Sequence, residues 1–256
     1  MSSELRLSAP FFVIGAPRSG TTFLREVLNR HERVLITNEL RVMTYMNRII
    51  NRTASDKWIL LNGREGFLEH FKRELPLVIE SYYRGLGASS TTRWGDKNPH
   101  YADSKTDPEC LALIDELFPE SQFLNIVRDG REVVSSLIAK GWVDLDEAVA
   151  VWRRHIEHAR DFGRKISADR FLTVKYEDLV AEPFAITSRV FTFLDVGEDQ
   201  NVTDFLAKQA RERTPFSKPM SDTVGAPAKT PRLTSAEHNR VSSELGDLLA
   251  ELGYVA

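Results

Sequence analysis

One cysteine in 256 residues, Cys110, leaves no partner for an intrachain disulfide and no thiolate set for a cysteine-rich zinc site, which fits a reducing compartment. Long apolar runs are missing too. The longest near the start is Ala9–Ile14, and no segment approaches the roughly 20 apolar residues of a membrane-spanning helix. Charge of one sign is not in excess: 34 basic residues face 37 acidic ones, a formal charge of −3, so no broad basic surface for nucleic acid or anionic lipid exists and any anion site must be local. The six histidines, at 31, 70, 100, 155, 158 and 238, form no H-E-x-x-H motif or carboxylate cluster, and no metal is implied. Repeats of fixed period and low-complexity tracts are absent, which removes solenoids and linker arrays. The residues before Pro10 include no apolar stretch of signal-peptide length, so a soluble cytoplasmic protein is expected.

What is present suits a globular enzyme. With 42% hydrophobic residues, a chain of this length can bury about 75% of its unfolded surface, and one domain over residues 1–256 is expected. Phe11–Ile14 is a short continuous apolar run ended by Gly15 and Pro17, and Thr21–Arg30 follows with helical spacing at Phe23, Val27 and Leu28. The pattern recurs at mid-chain. Phe123–Val127 reads as a buried strand, Arg128–Gly130 as a turn, and Arg131–Lys140 as a helix with Val133, Val134, Leu137 and Ile138 inward. Arg170–Val174 is a third strand candidate, and Pro108 opens a helix whose apolar face is Leu111, Ile114 and Leu117. Strands alternating with helices predict a parallel α/β sheet covered on both faces. Two further helical patterns, Leu40–Asn51 and Glu65–Tyr83, fall between the two strand units, and such insertions usually cover the carboxyl edge where ligands bind. Leu145–Phe162 and Ser235–Leu252 also read as amphipathic helices, while Pro215–Pro231, with four prolines, reads as a loop.

The segment Gly15-Ala16-Pro17-Arg18-Ser19-Gly20-Thr21-Thr22 lies between a predicted strand and a predicted helix. In that setting, backbone N–H groups and the helix N-terminus make an anion cradle. The glycine spacing is that of G-x-x-x-x-G-K-[ST], but Thr21 occupies the place of the phosphate-bridging lysine. Arg18 supplies a cation from inside the loop instead, and Ser19, Thr21 and Thr22 offer hydroxyls to the same anion.

These residues resemble the 5′-phosphosulfate loop of the sulfotransferases that use 3′-phosphoadenosine 5′-phosphosulfate (PAPS), above all the bacterial and tyrosylprotein branches. The run Val127-Arg128 through Ser136 is similar to that family's second signature, an arginine ending a strand and a serine eight residues on. Trp94–Pro99 and Lys175–Leu179 also look like family segments, so the resemblance spans roughly residues 11 to 195. It implies a P-loop-like three-layer fold, with a central parallel sheet flanked by helices and helical insertions over the carboxyl edge. It also implies transfer of a sulfuryl group from PAPS to an acceptor hydroxyl by in-line displacement, leaving adenosine 3′,5′-bisphosphate (PAP), with no metal.

Roles follow from the same resemblance. Arg18, Ser19, Gly20, Thr21 and Thr22 would hold the 5′ phosphosulfate, and Arg128 with Ser136 the 3′-phosphate. Ser136 can face the strand-end arginine only if its helix starts near Gly130, and Ser135 competes with it. Lys97 would reach the leaving-group oxygen, where a cation stabilises charge that grows in the transition state. Glu39, after the apolar stretch Val34–Ile36, resembles the general base of the tyrosylprotein branch, and His100 is the rival base because the cytosolic branch uses a histidine close after its lysine. Tyr176 and Phe23 match aromatics beside the adenine, and Lys229, with Arg232, lies in the tail that would close over the 3′-phosphate. The expected acceptor is a small-molecule or carbohydrate hydroxyl, with no nucleic-acid partner. Two other functions compete: a P-loop kinase using ATP, which Thr21 disfavours, and a nucleotide-binding module without chemistry, against which Glu39 and Lys97 argue.

Overall fold

The computed structural model describes residues 7–55, 64–212 and 233–254. Lys229, Arg232 and the Pro215–Pro231 segment lie outside them. Five parallel strands form one sheet in the order β2-β3-β1-β4-β5: β1 Phe11–Ile14, β2 Val34–Asn38, β3 Arg93–Lys97, β4 Gln122–Val127 and β5 Phe171–Lys175. Helix α1 (Thr21–Leu28) joins β1 to β2, and α2 (Val42–Ser55) and α3 (Arg64–Gly85) join β2 to β3. After β3 come a 3₁₀ turn at Pro99–Ala102 and α4 (Cys110–Leu117), then β4. Helices α5 (Gly130–Ala139) and α6 (Leu145–Gly163) lead to β5, followed by α7 (Tyr176–Ala181), α8 (Pro183–Leu194) and α9 (Gln200–Glu212). The predicted helix Ser235–Leu252 is divided into α10 (Ser235–Glu244) and α11 (Gly246–Glu251). Among the described residues no helix is long and apolar enough to cross a membrane.

Side chains alternate across a strand, and β1 shows why its sequence is apolar throughout. Phe12 and Ile14 enter a core with α2, α3, α4 and α6, while Phe11 and Val13 enter the opposite core with α1, α8 and α9. A third cluster joins Val127 to α5, α6, α10 and α11 through Val133, Trp152, Val241 and Leu245. The result is the three-layer α/β arrangement expected from the sequence.

The sequence reading missed β3 as a strand, because Arg93-Trp94-Gly95-Asp96-Lys97 has none of the apolar signal that marks β1 and β4. It nonetheless lies between β1 and β2, with Trp94, Gly95, Asp96 and Lys97 buried. Gly95 is required there by close approach: a Cβ on it would stand 1.7 Å from the Phe11 carbonyl oxygen. The apolar stretch Val34–Ile36 is likewise part of a full edge strand, β2.

The chain leaves β1 toward β2 on one side and leaves β3 toward β4 on the other, so the connections diverge at the middle of the sheet. Ligands of open parallel sheets bind beyond the carboxyl ends of the strands at such a point. Here those ends carry Lys97 on β3, the Gly15–Gly20 loop after β1, and Arg128 just after β4.

Candidate active site

The loop after β1 is held open by its backbone. Gly15 and Gly20 have φ of +143° and +95°, and Arg18 between them takes φ 73°, a left-handed conformation that costs a non-glycine residue energy. Gly20 is the N-cap of α1 and supplies no side-chain cap, and the first turn of that helix has no acidic residue, which leaves the helix terminus to an anion. Ser19 is fully buried and its Oγ has no hydrogen-bond partner. A buried, unpaired hydroxyl beside helix-terminal N–H groups fits a loop shaped for a phosphate or sulfate group.

Arg18 and Arg128 are brought together with Ser136. Arg18 Nε donates to Ser136 Oγ at 3.0 Å, and an Arg128 guanidinium N–H donates to the Arg18 carbonyl at 3.3 Å. Helix α5 starts at Gly130, and Ser136 rather than Ser135 accepts from an arginine, but from Arg18 of the loop where the expectation named the strand-end Arg128. The Arg128 guanidinium lies 4.7 Å from the centre of the Tyr176 ring. That ring also packs on Gly20, where a Cβ would come within 2.3 Å of it. Tyr176 thus forms a wall between the two signatures. Phe23 is 5% exposed and packs in the core with Leu24 and Val27 beneath the loop.

Lys97 and Glu39 meet at the lip of the sheet. Lys97 Nζ donates to Glu39 Oε1 at 2.7 Å and to Thr22 Oγ1 at 3.5 Å, which links the carboxylate to the glycine loop through one ammonium. The Lys97 side chain is 1% exposed and Glu39 34%. Burial pushes the Lys97 ammonium below its ordinary pKa, Glu39 opposes that shift, and the charge of Arg25 one turn into α1 adds to it. The Glu39 N–H donates to the Lys97 carbonyl at 2.7 Å, extending the β2–β3 ladder one residue past the strand. Four described non-glycine residues have positive φ, and three of them, Arg18, Glu39 and Arg41, are in this site, where backbone strain is most often stored.

His100, the rival base, stands in the 3₁₀ turn after β3, and its ring shares no hydrogen bond with Lys97 or Glu39. Its charge acts on Asp107 and His155 instead. Of the two candidates, Glu39 is the one in contact with Lys97.

Sequence reading missed three residues here. Asp96 is 1% exposed and accepts hydrogen bonds from Thr37 Oγ1 at 2.7 Å, the Tyr101 hydroxyl at 2.8 Å and the Leu40 N–H at 3.2 Å. Burial raises its pKa while those donors hold it down, and the bonds pin the Asn38–Leu40 turn that carries Glu39. Its position before Lys97 in an otherwise extended segment was the available signal. Arg25, three residues after Thr22 and so on the same helical face, has a buried Nε with no hydrogen-bond partner. Trp142, 59% exposed, lies 5.8 Å from the Arg18 guanidinium and carried no pattern of its own. Among the described residues no group of three or more His, Cys, Asp or Glu is placed to hold a metal ion.

Comparison with known proteins adds a family to this geometry. A model of the sulfotransferase family matches residues 10–200. Protein-tyrosine sulfotransferase A of Caenorhabditis elegans is 29% identical over an alignment 208 positions long that covers 76% of this chain and 52% of that protein, so the chain spans about half the length of that relative. The fold is also that of the sulfotransferase domain of the Synechococcus PCC 7002 olefin synthase, with a TM-score of 0.61 at 19% identity over 94% of this chain and 96% of that one. Mouse sulfotransferase SULT7A1, solved in complex with PAP, superposes with a TM-score of 0.53 at 12% identity over 94% of this chain and 84% of its own.

Proposed function

This chain belongs to the sulfotransferase family, and from that premise we propose that it moves a sulfuryl group from PAPS to the phenolic hydroxyl of a tyrosine. The contact that carries this reading is the run Glu39–Lys97–Thr22, in which a carboxylate, a buried ammonium and the hydroxyl of the anion loop touch in sequence.

The loop N–H groups with Ser19, Thr21 and Thr22 would hold the phosphosulfate, and Arg18 would complete its charge balance. Arg128 and Ser136 would take the 3′-phosphate, with Tyr176 against the base. Charge-assisted hydrogen bonds of this kind contribute about 1.5–3 kcal/mol each. Glu39, partly exposed at the lip, would accept the acceptor's proton as its oxygen attacks sulfur. The bond from sulfur to the bridging phosphate oxygen breaks in line, and Lys97 stabilises the negative charge that gathers on that oxygen. With the acceptor in place, the ammonium exchanges part of its contact with Glu39 for the leaving group, which frees the carboxylate to act as a base.

The relative named as a protein-tyrosine sulfotransferase supports the phenol. We favour it over the small-molecule or carbohydrate acceptor expected from the sequence on the strength of that relative, and the apolar groove that begins at Leu40 has few partners for sugar hydroxyls. PAPS as the donor is supported by the paired arginine signatures and by the PAP held in the mouse enzyme of this fold. Thr21 in place of the loop lysine, and an arginine rather than an acid after β4, tell against an ATP-dependent kinase.

Calorimetric titration with PAP without metal, run beside ADP with magnesium, tests the donor site. Radiolabelled PAPS with a tyrosine peptide tests the transfer. Binding of PAP alone and a sulfated tyrosine are expected; a preference for ADP with magnesium would overturn the reading.

A further inference from the structure

Helices α2 and α3 lie over the carboxyl end of β2 and enclose a groove of about 330 Å³. Leu40, Tyr45 and Met46 line one side, and Val78, Ile79 and Tyr82 the other. The two tyrosine hydroxyls are the only oxygen or nitrogen atoms among the lining side chains. Tyr45, Val78 and Tyr82 are 51%, 64% and 45% exposed, an unusual display of large apolar groups on two neighbouring helices.

The groove begins one residue after the candidate base. Leu40, at its inner end, is tied to the sheet by the hydrogen bond from its N–H to Asp96, and Asp96 precedes Lys97 on β3. The inner end of the groove is thus tied to the strand that carries Lys97 and lies one residue along the chain from Glu39. The volume is at the small end of ligand pockets, room for a large side chain and not for a folded segment. An apolar side chain entering it would remove water from both surfaces, whereas a carboxylate would be desolvated with no partner.

Resting on the sulfotransferase reading above, we propose that this groove takes the apolar side chain of a residue flanking the acceptor tyrosine. The protein accordingly selects tyrosines beside leucine, isoleucine, methionine or phenylalanine and discriminates against tyrosines embedded in acidic runs.

The test uses the full chain saturated with PAP and two fluorescent peptides whose tyrosine is replaced by phenylalanine, one with leucine flanks and one with glutamate flanks. Binding is read by anisotropy, and the tyrosine forms of the same peptides are assayed for sulfation. The leucine-flanked peptide is expected to bind at least tenfold more tightly. Val78→Asp, at a position open to solvent on α3, is expected to remove at least tenfold of that affinity while PAP affinity stays the same. Equal or reversed preference, no peptide binding, insensitivity to Val78→Asp, or capture of free 4-butylphenol in place of the peptide would each overturn the proposal. If the leucine-flanked peptide binds through Val78 but its tyrosine form is not sulfated, the groove stands and the sulfotransferase reading falls. Preferential sulfation of the acidic peptide does the reverse.

Discussion

Replacing Lys97 by methionine removes one charge from the centre of the site and little else. The side chain is 1% exposed, and methionine has nearly its length, so no large cavity opens. Removing one partner of a fully buried ion pair costs about 3–5 kcal/mol, because the other charge is stranded. Here Glu39 is 34% exposed and has Arg41 4.0 Å away, so water and a second cation take up its charge. Solvent screening reduces the expected loss of stability to about 1 kcal/mol. The catalytic loss is of another order. A donor aimed at charge that develops in the transition state is worth about 10²–10³ in kcat. PAP keeps the oxygen that Lys97 serves as part of its 5′-phosphate, so its affinity should also fall, by about tenfold, the lower end for a charge-assisted contact and less than the loss in kcat. The assay therefore pairs single-turnover transfer from PAPS with PAP calorimetry and a thermal melt on the same preparation. A kcat within tenfold of the parent would refute the role of Lys97, and so would a drop in PAP affinity as large as the drop in kcat.

Arg128→Ala should show the opposite division. Loss of a charge-assisted contact of about 1.5–3 kcal/mol corresponds to roughly 10–150-fold weaker PAP binding, with turnover at saturating donor changed by only a few fold, both readable by calorimetry and initial rates. Gly20→Ala places a methyl 2.3 Å from the Tyr176 ring at φ +95°, so a melt should show a loss of about 1–3 kcal/mol together with weakened PAP binding. His155 gives a pH signature of folding. Burial holds its pKa at about 4, with Val151 O accepting at 2.7 Å and the charges of Asp103, Arg154 and His100 nearby. The unfolded imidazole titrates near 6.5, so the unfolded state binds the proton first; stability is complete above about pH 6.5 and falls toward pH 4 by up to about 3 kcal/mol. Urea unfolding at pH 7 and pH 5 measures this slope, and His155→Leu should flatten it.

The chemistry-bearing segments differ in how plainly they show in the chain. Strands β1 and β4 are buried on both faces, so unbroken apolar runs mark them, and the glycine loop and the Arg128-to-Ser136 spacing lie within single strand-to-helix units. Local order along the chain is enough to read such features. Strand β3 is different: its polar side chains are buried because each finds a partner on another element, Asp96 with Thr37 and Tyr101, Lys97 with Glu39. Periodicity registers transfer from water to an apolar core, and it has no term for a buried charge compensated from a distance.

The sequence by itself determined the layered α/β class, the anion loop, the helix that presents Ser136 and the residue types needed for sulfuryl transfer, because each depends on neighbours a few positions away. The tertiary structure decided which of those residues act together. Arg18 and Ser136 are 118 positions apart, and Lys97 and Glu39 are 58 apart, yet each pair is in contact at the carboxyl edge of the sheet. Glu39 stands against Lys97 while His100 does not, and an apolar groove begins at the next residue, because the parallel register sets Asn38 opposite Lys97 and the turn after β2 carries the chain into α2. Contacts of that range come from strand pairing and helix packing, which no local pattern of residues specifies.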